Sequence, residues 1–154
     1  VSAVLPGYAG GTMENPSYED MHGDTGHAEV LQVVFDPTQV SYETLLNVFF
    51  ATHDPTTKNR QGNDVGPQYR SVILYADEAQ RQKAQVYIAK LTDEHVFERP
   101  IVTEVVELTK FYPAENYHQQ YYDKNREQPY CQFIIDPKVA KLRKQFAHLL
   151  RPGV

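Results

Sequence analysis

The chain has 154 residues, with 15 Lys and Arg against 20 Asp and Glu and a formal net charge of −5. Its 41% hydrophobic and 12% aromatic content is that of an ordinary globular protein, which excludes wholesale disorder, a collagen-like fibre and a disulfide scaffold. The acidic balance lacks the electrostatic footprint of a nucleic-acid binder, and no apolar run approaches the roughly 20 residues that cross a bilayer. Neither nucleic acid nor membrane is expected as a partner. The length fits a single domain over residues 1–154. One cysteine, Cys131, allows no disulfide within the chain, and no signal-peptide pattern precedes the first strand-like run, so a reducing, cytoplasmic setting is expected.

The opening VSAVLPGYAGG is rich in strand formers and breaks at Gly7, Gly10 and Gly11, so it reads as a chain entered in mid-fold. Residues 12–26 turn to Gly, Pro, Asn, Asp and Ser, a loop long enough to carry function. Residues 28–35 (AEVLQVVF) are almost continuously apolar, which predicts a strand buried on both faces and ended by Asp36-Pro37. Ser41 is a suitable N-cap, and Leu45, Leu46, Phe49 and Phe50 recur at helical spacing up to His53-Asp54-Pro55. A second polar loop spans residues 56–67, followed by a strand over 69–75. Asp77 with Gln80 resembles a capping box, and Ala84, Tyr87, Ile88 and Leu91 line one face of the helix it starts. Residues 101–108 read as the last strand, and the Tyr-rich residues 111–122 as containing a short helix after Pro113. Asp136-Pro137 offers an N-cap with Pro at the first helical position, and Leu142, Phe146 and Leu149 follow on one face. This order predicts an α+β fold, a mixed sheet with helices packed on it.

Chemistry-bearing residues concentrate in the two long loops and the Tyr-rich segment. Around GDTGHAE stand Tyr18, Asp24, His27 and Glu29. A carboxyl at the mouth of an apolar strand has its pKa raised by desolvation and can hold a proton near neutral pH, whereas a solvated first residue of an edge strand has no such role. In the second loop Arg60, Asn63, Asp64, Gln68, Tyr69 and Arg70 either aim hydrogen-bond donors at a small polar group or satisfy one another as a turn. The chain has 11 Tyr and no Trp, and Tyr117, Tyr121, Tyr122 and Tyr130 cluster. Phenol rings suit a small ligand with a methyl end and an oxygen end, and equally suit packing on a sheet. His22, His27, His53 and His118 match no HExxH or paired Cys/His spacing, so no metal site is expected. Cys131 in QPYCQF is open to two readings, a buried small hydrophobe or a reactive thiol.

Taken together and in this order, PGYAGG, NPSY, GDTGHAE, HDPT, RQGND followed by GPQYRS, and YHQQYY leading to PYC resemble the peptide methionine sulfoxide reductases of the A type, from Val1 to about Cys131. The resemblance implies a plait-type mixed sheet and the reduction of methionine S-sulfoxide, free or in oxidised proteins and peptides. In that family a cysteine thiolate attacks the sulfoxide sulfur, a glutamic acid protonates the departing oxygen, and a sulfenic acid remains. A second cysteine then forms a disulfide that thioredoxin reduces, with no other cofactor. The resemblance places the acid at Glu29. It places the residues that bind the sulfoxide oxygen or position the acid at Tyr18, Asp64 and Tyr69, the pocket lining at Tyr121 and Tyr130, and a resolving cysteine at Cys131. The family's nucleophile stands in a GCFWG string that begins the first helix, and this string does not occur in the 154 residues. The first strand and helix of the family fold are therefore expected to be missing from this chain, and the chain as written to be inactive without that thiol. The alternative is a non-catalytic module that binds sulfoxide without breaking its bond.

Overall fold

The structure is a computed structural model and describes residues 1–150. In chain order the elements are β1 (Ala3–Ala9), β2 (Ala28–Val34), α1 (Tyr42–Thr52), the short strands β3 (Arg60–Gln61) and β4 (Asp64–Val65), β5 (Val72–Tyr75), α2 (Glu78–Asp93), β6 (Glu104–Glu107), β7 (Phe111–Pro113), α3 (Tyr121–Lys124) and α4 (Asp136–Gln145). The α+β class is as expected. Antiparallel and parallel pairing occur together, distributed over separate ladders: β2-β1-β7 and β3-β4 are antiparallel, and β5-β6 is parallel.

Both long helices start as their sequences dictate. Ser41 Oγ accepts from the Thr44 N–H at 3.1 Å, and Asp77 Oδ1 accepts from the Gln80 N–H at 2.8 Å, each satisfying a donor that a helix N-terminus leaves without a partner. Their apolar faces meet. Leu46 and Phe50 of α1, Ile73 of β5 and Ala84 of α2 form a buried cluster, flanked by Tyr42, Phe49, Tyr87, Ile88, Leu91 and Val105. Phe50 stacks on Tyr87 with ring centroids 5.7 Å apart. A second, smaller cluster of Tyr8, Met21 and Ala114 pins residues 12–26 against the face of β1.

Four expectations are corrected. First, β2 is not buried on both faces: it is the outer strand of its ladder, and Leu31 is 64% exposed with Val33 and Val34 also exposed. Second, the strand expected over residues 101–108 narrows to Glu104–Glu107, while the unpredicted strand Phe111–Pro113 pairs with β1 on the opposite edge, where a proline costs no ladder bond. Third, the helix expected soon after Pro113 begins only at Tyr121, because residues 116–120 form turns that end with Gln120 at a φ of 55°. Fourth, Asp136 does not cap a new helix. Its backbone is already right-handed helical, entered from a π-helical turn over Cys131–Ile135, and its N–H donates to the Cys131 carbonyl. With no orphan N–H to cap, its carboxylate instead accepts a hydrogen bond from the Tyr122 hydroxyl. Of the face predicted beyond it, Phe146 is buried, Leu142 half-buried and Leu149 exposed.

A hydrogen-bonded chain joins the end of α1 to β5 and the segment before β6. The Phe49 carbonyl lies 2.6 Å from His53 Nδ1 and can only accept, so that nitrogen carries the proton. Nε2 then accepts from the Ser71 hydroxyl at 2.7 Å, and Ser71 accepts from Thr103 at 2.8 Å. Burial lowers the His53 pKa, and Lys138 adds to the lowering, against the opposing pull of the Phe49 carbonyl and Asp54. The folded chain thus favours the uncharged ring, and the unfolded chain takes up the proton first. The stability that His53 contributes is full above the ordinary value of about 6.5 and declines as pH falls below it. Thermal unfolding followed by circular dichroism should show the midpoint dropping between about pH 7.5 and about pH 5, with a flatter dependence in His53→Gln.

Candidate active site

The antiparallel register places Glu29 of β2 directly opposite Tyr8 of β1, which in turn faces Tyr112 of β7. Opposed residues in a ladder share a face, so this row presents a carboxyl and two phenols to one side of the sheet. The loop of residues 12–26 covers that side and is fastened at its end by His27. The Gly11 N–H donates to His27 Nδ1 at 2.9 Å, so the ring proton sits on Nε2 and is donated to the Met13 carbonyl at 2.7 Å. Gly11 is required here, since a Cβ on it would lie 2.3 Å from the His27 nitrogen and 2.4 Å from the Thr25 carbonyl. Within the loop Tyr18 packs its ring against His22 at 5.0 Å, His118 at 4.7 Å and Tyr117 at 6.5 Å.

The second loop is in large part a self-satisfied turn. Arg60 and Gln61 are spent on the turn itself: Arg60 Nε donates to the Gly62 carbonyl at 2.7 Å, and Gln61 exchanges hydrogen bonds with the Asp54 backbone at 3.1 and 2.6 Å. Asp64 on β4 stays half-buried, and its charge acts on Glu29. Arg70 then carries Tyr69 toward the first loop. Its guanidinium donates to the Gly26 and Pro67 carbonyls, each at 2.9 Å, and pairs with Glu104 at 3.2 Å.

Glu29 is not sunk in a dry hollow. Its side chain remains exposed on the outer strand, yet the protein packed around its carboxyl displaces enough water to raise its pKa, Asp64 raises it further, and His22 opposes both. Tyr69 and Tyr130 are likewise pushed upward, by desolvation first and then by the charges of Glu29 and Asp64. Tyr18 also acts on Tyr69, and Cys131 and Tyr121 on Tyr130. Tyr130 is 50% exposed, while the Cys131 side chain, at the first residue of the π-helical turn, is fully buried. Asp24 stays on the surface. Two surface hollows of about 240 and 370 Å³ are lined by none of the expected site residues. Among the described residues no group of three or more His, Cys, Asp or Glu converges to hold a metal ion, and no helix is long and apolar enough to cross a membrane.

Two residues escaped the sequence reading. Tyr8, 3% exposed, is found only through the strand register. Glu115, in the turn after β7, accepts from the Tyr8 hydroxyl at 2.9 Å and from the Tyr18 N–H at 2.6 Å. No local pattern marks either as part of the site.

A carboxyl made reluctant to ionise, set opposite Tyr8 in the ladder, is suited to protonating the oxygen of a small polar group. Comparisons with known proteins give the family of the chain. The family model of peptide methionine sulfoxide reductase matches residues 1–150. The peptide methionine sulfoxide reductase MsrA of Chromobacterium violaceum is 53% identical over 152 residues, covering 98% of this chain and 86% of that protein. The fold is similar to Mxr1 from Saccharomyces cerevisiae in its reduced form, with a TM-score of 0.77 and 36% identity over 83% of this chain and 74% of that one. It is also similar, at a TM-score of 0.50 and 25% identity over 77% and 64% of the two chains, to Mxr1 in complex with Trx2. The family match and the fold define an oxidoreductase. The chain belongs to the peptide methionine sulfoxide reductase family, of the MsrA type.

If Asp64 raises the Glu29 pKa through its charge, Asp64→Asn should lower the Glu29 midpoint and His22→Ala should raise it. Carboxyl carbon NMR of the labelled protein checks both, and an unmoved midpoint in Asp64→Asn would remove that coupling.

Proposed function

We propose that this protein acts as a single domain in the reducing cytoplasm on methionine S-sulfoxide, free or in oxidised proteins and peptides, with Glu29 as the general acid. Tyr18 and Tyr69 donate hydrogen bonds to the sulfoxide oxygen, Asp64 keeps Glu29 protonated, and Tyr121 and Tyr130 wall the substrate side. A thiolate attacks the sulfoxide sulfur while Glu29 gives its proton to the oxygen. The S–O bond of the substrate breaks, methionine leaves, and the oxygen ends on the attacking sulfur as a sulfenic acid. The attacking thiol belongs to a second cysteine, as the family pattern implies, Cys131 being the one cysteine in these 154 residues. Cys131 acts afterwards: its thiol condenses with the sulfenic acid, water leaves and a disulfide forms, which the dithiol of thioredoxin reduces with two electrons. No metal or other cofactor takes part.

The observation that carries this reading is the raised pKa of Glu29 beside Asp64 and the phenols of Tyr69 and Tyr130. The binding of Trx2 by the relative Mxr1 supports the choice of reductant.

In the protein carrying the attacking thiol, Glu29→Gln should slow single-turnover reduction of a methionine S-sulfoxide peptide by about 10²–10⁴-fold, with substrate affinity nearly unchanged. Cys131→Ala should complete one stoichiometric turnover and then stall with thioredoxin. An undiminished rate in Glu29→Gln would dismiss the acid, and full recycling in Cys131→Ala would dismiss the resolving role.

A further inference from the structure

Glu115 stands outside every motif discussed so far, yet its carboxylate touches both walls of the site. Its Oε2 accepts from the hydroxyl of Tyr8, the strand residue opposite Glu29, at 2.9 Å. Its Oε1 accepts from the backbone N–H of Tyr18 in the covering loop at 2.6 Å, short for an N–H donor and typical of a bond to a charged acceptor. The same turn clamps the ring as well as the backbone. The His118 N–H donates to the Glu115 carbonyl at 2.9 Å, and the rings of Tyr117 and His118 pack on the ring of Tyr18. We propose that Glu115 is a positioning residue for the sulfoxide site: its ionised carboxylate ties the Tyr18 loop to the sheet row that carries Glu29, and so fixes the Tyr18 phenol where the sulfoxide oxygen binds. The proposal rests on the reading of Glu29 and Tyr18 given above.

The chemistry demands a carboxylate at this position. Two donors from different elements converge on it, and an ionised carboxyl offers an acceptor oxygen to each. An amide offers one acceptor and turns its NH₂ toward the other donor. Burial works against the charge of Glu115, but its own N–H, the Tyr18 N–H, the Tyr8 hydroxyl and nearby His118 outweigh that and hold its carboxyl below the usual carboxylate range. Burial first, and then the bond to Glu115, push the Tyr8 hydroxyl far upward in pKa, so it stays a donor at any physiological pH.

Two measurements test the tie. In this chain the Tyr18 amide proton, followed by NMR, should move upfield in Glu115→Gln and titrate in the wild type as Glu115 is protonated. In the protein carrying the attacking thiol, Glu115→Ala should lower kcat/KM for a methionine S-sulfoxide peptide by about 10²-fold, as expected for a displaced binding group. In a Tyr18→Phe background the same substitution should cost less than about threefold, because the group it positions is already gone. Where Glu115→Ala is too unstable to purify, Glu115→Gln serves in the same cycle. A Tyr18 amide that does not move, or an equal loss in both backgrounds, overturns the role of Glu115 while Glu29→Gln and Tyr18→Phe remain slow. Full rates in Glu29→Gln and Tyr18→Phe would instead bring down the acid reading itself, and the positioning role with it.

Discussion

A carboxylic acid can deliver a proton near neutral pH only if its surroundings make its anion costly, and the geometry of this site serves that requirement. Glu29, the proposed acid, is not deeply buried. Its strand is the outer one of the ladder and its side chain is exposed, so desolvation by the packed loop is only part of the cost. The remainder comes from a like charge, Asp64, delivered by a ribbon of two-residue strands. Such a ribbon has almost no ladder of its own and depends on side chains: Gln61 bridges to the Asp54 backbone, and the Thr57 hydroxyl donates to the Arg60 carbonyl at 2.7 Å. A turn that looks merely self-satisfied is what holds the second carboxylate in place.

The molecule separates the task of staying folded from the task of arranging charges. The apolar cluster of α1, α2 and β5 lies apart from the polar row on β1 and β2, and the parallel β5-β6 pair anchors it. The bridge between the two regions is largely polar. Arg70 reaches from the start of the β5 segment to Gly26 and Glu104, so the turn bearing Tyr69 is referenced to both sheets at once. Hydrogen bonds to fixed carbonyls suit this purpose better than apolar contact, because they are directional and resist sliding.

How much of this was legible in the sequence depended on the range of each interaction. The caps at Ser41 and Asp77 are contacts three residues long, and they were read correctly from composition alone. Leu46, Phe50 and Ala84 announced themselves by helical spacing. The burial of β2 was misread because an apolar run says nothing about whether a strand is central or at an edge, and here it is at the edge. Asp136-Pro137 carried the pattern of a helix start, but the wide turn from Cys131 enters that helix already wound, and no short-range signal marks a π turn. Tyr18, Glu29, Asp64 and Tyr69 take their proposed roles from strings that resemble a family. Glu115 does not, because its meaning lies in bonds spanning 97 and 107 residues.

The abundance of tyrosine follows from the same electrostatics. A phenol is useful against a sulfoxide oxygen only while it keeps its proton, and the negative field that discourages ionisation of Glu29 also discourages ionisation of Tyr69 and Tyr130. Asp64 therefore acts in the same direction on the acid and on the donors, favouring the protonated form of each. Lysine or arginine in place of these phenols would also bind the oxygen, but their charge would favour the Glu29 anion and take the proton out of reach. The proposed use of a neutral acid is thus compatible with neutral donors, and tyrosine combines such a donor with an apolar ring that suits a methyl group.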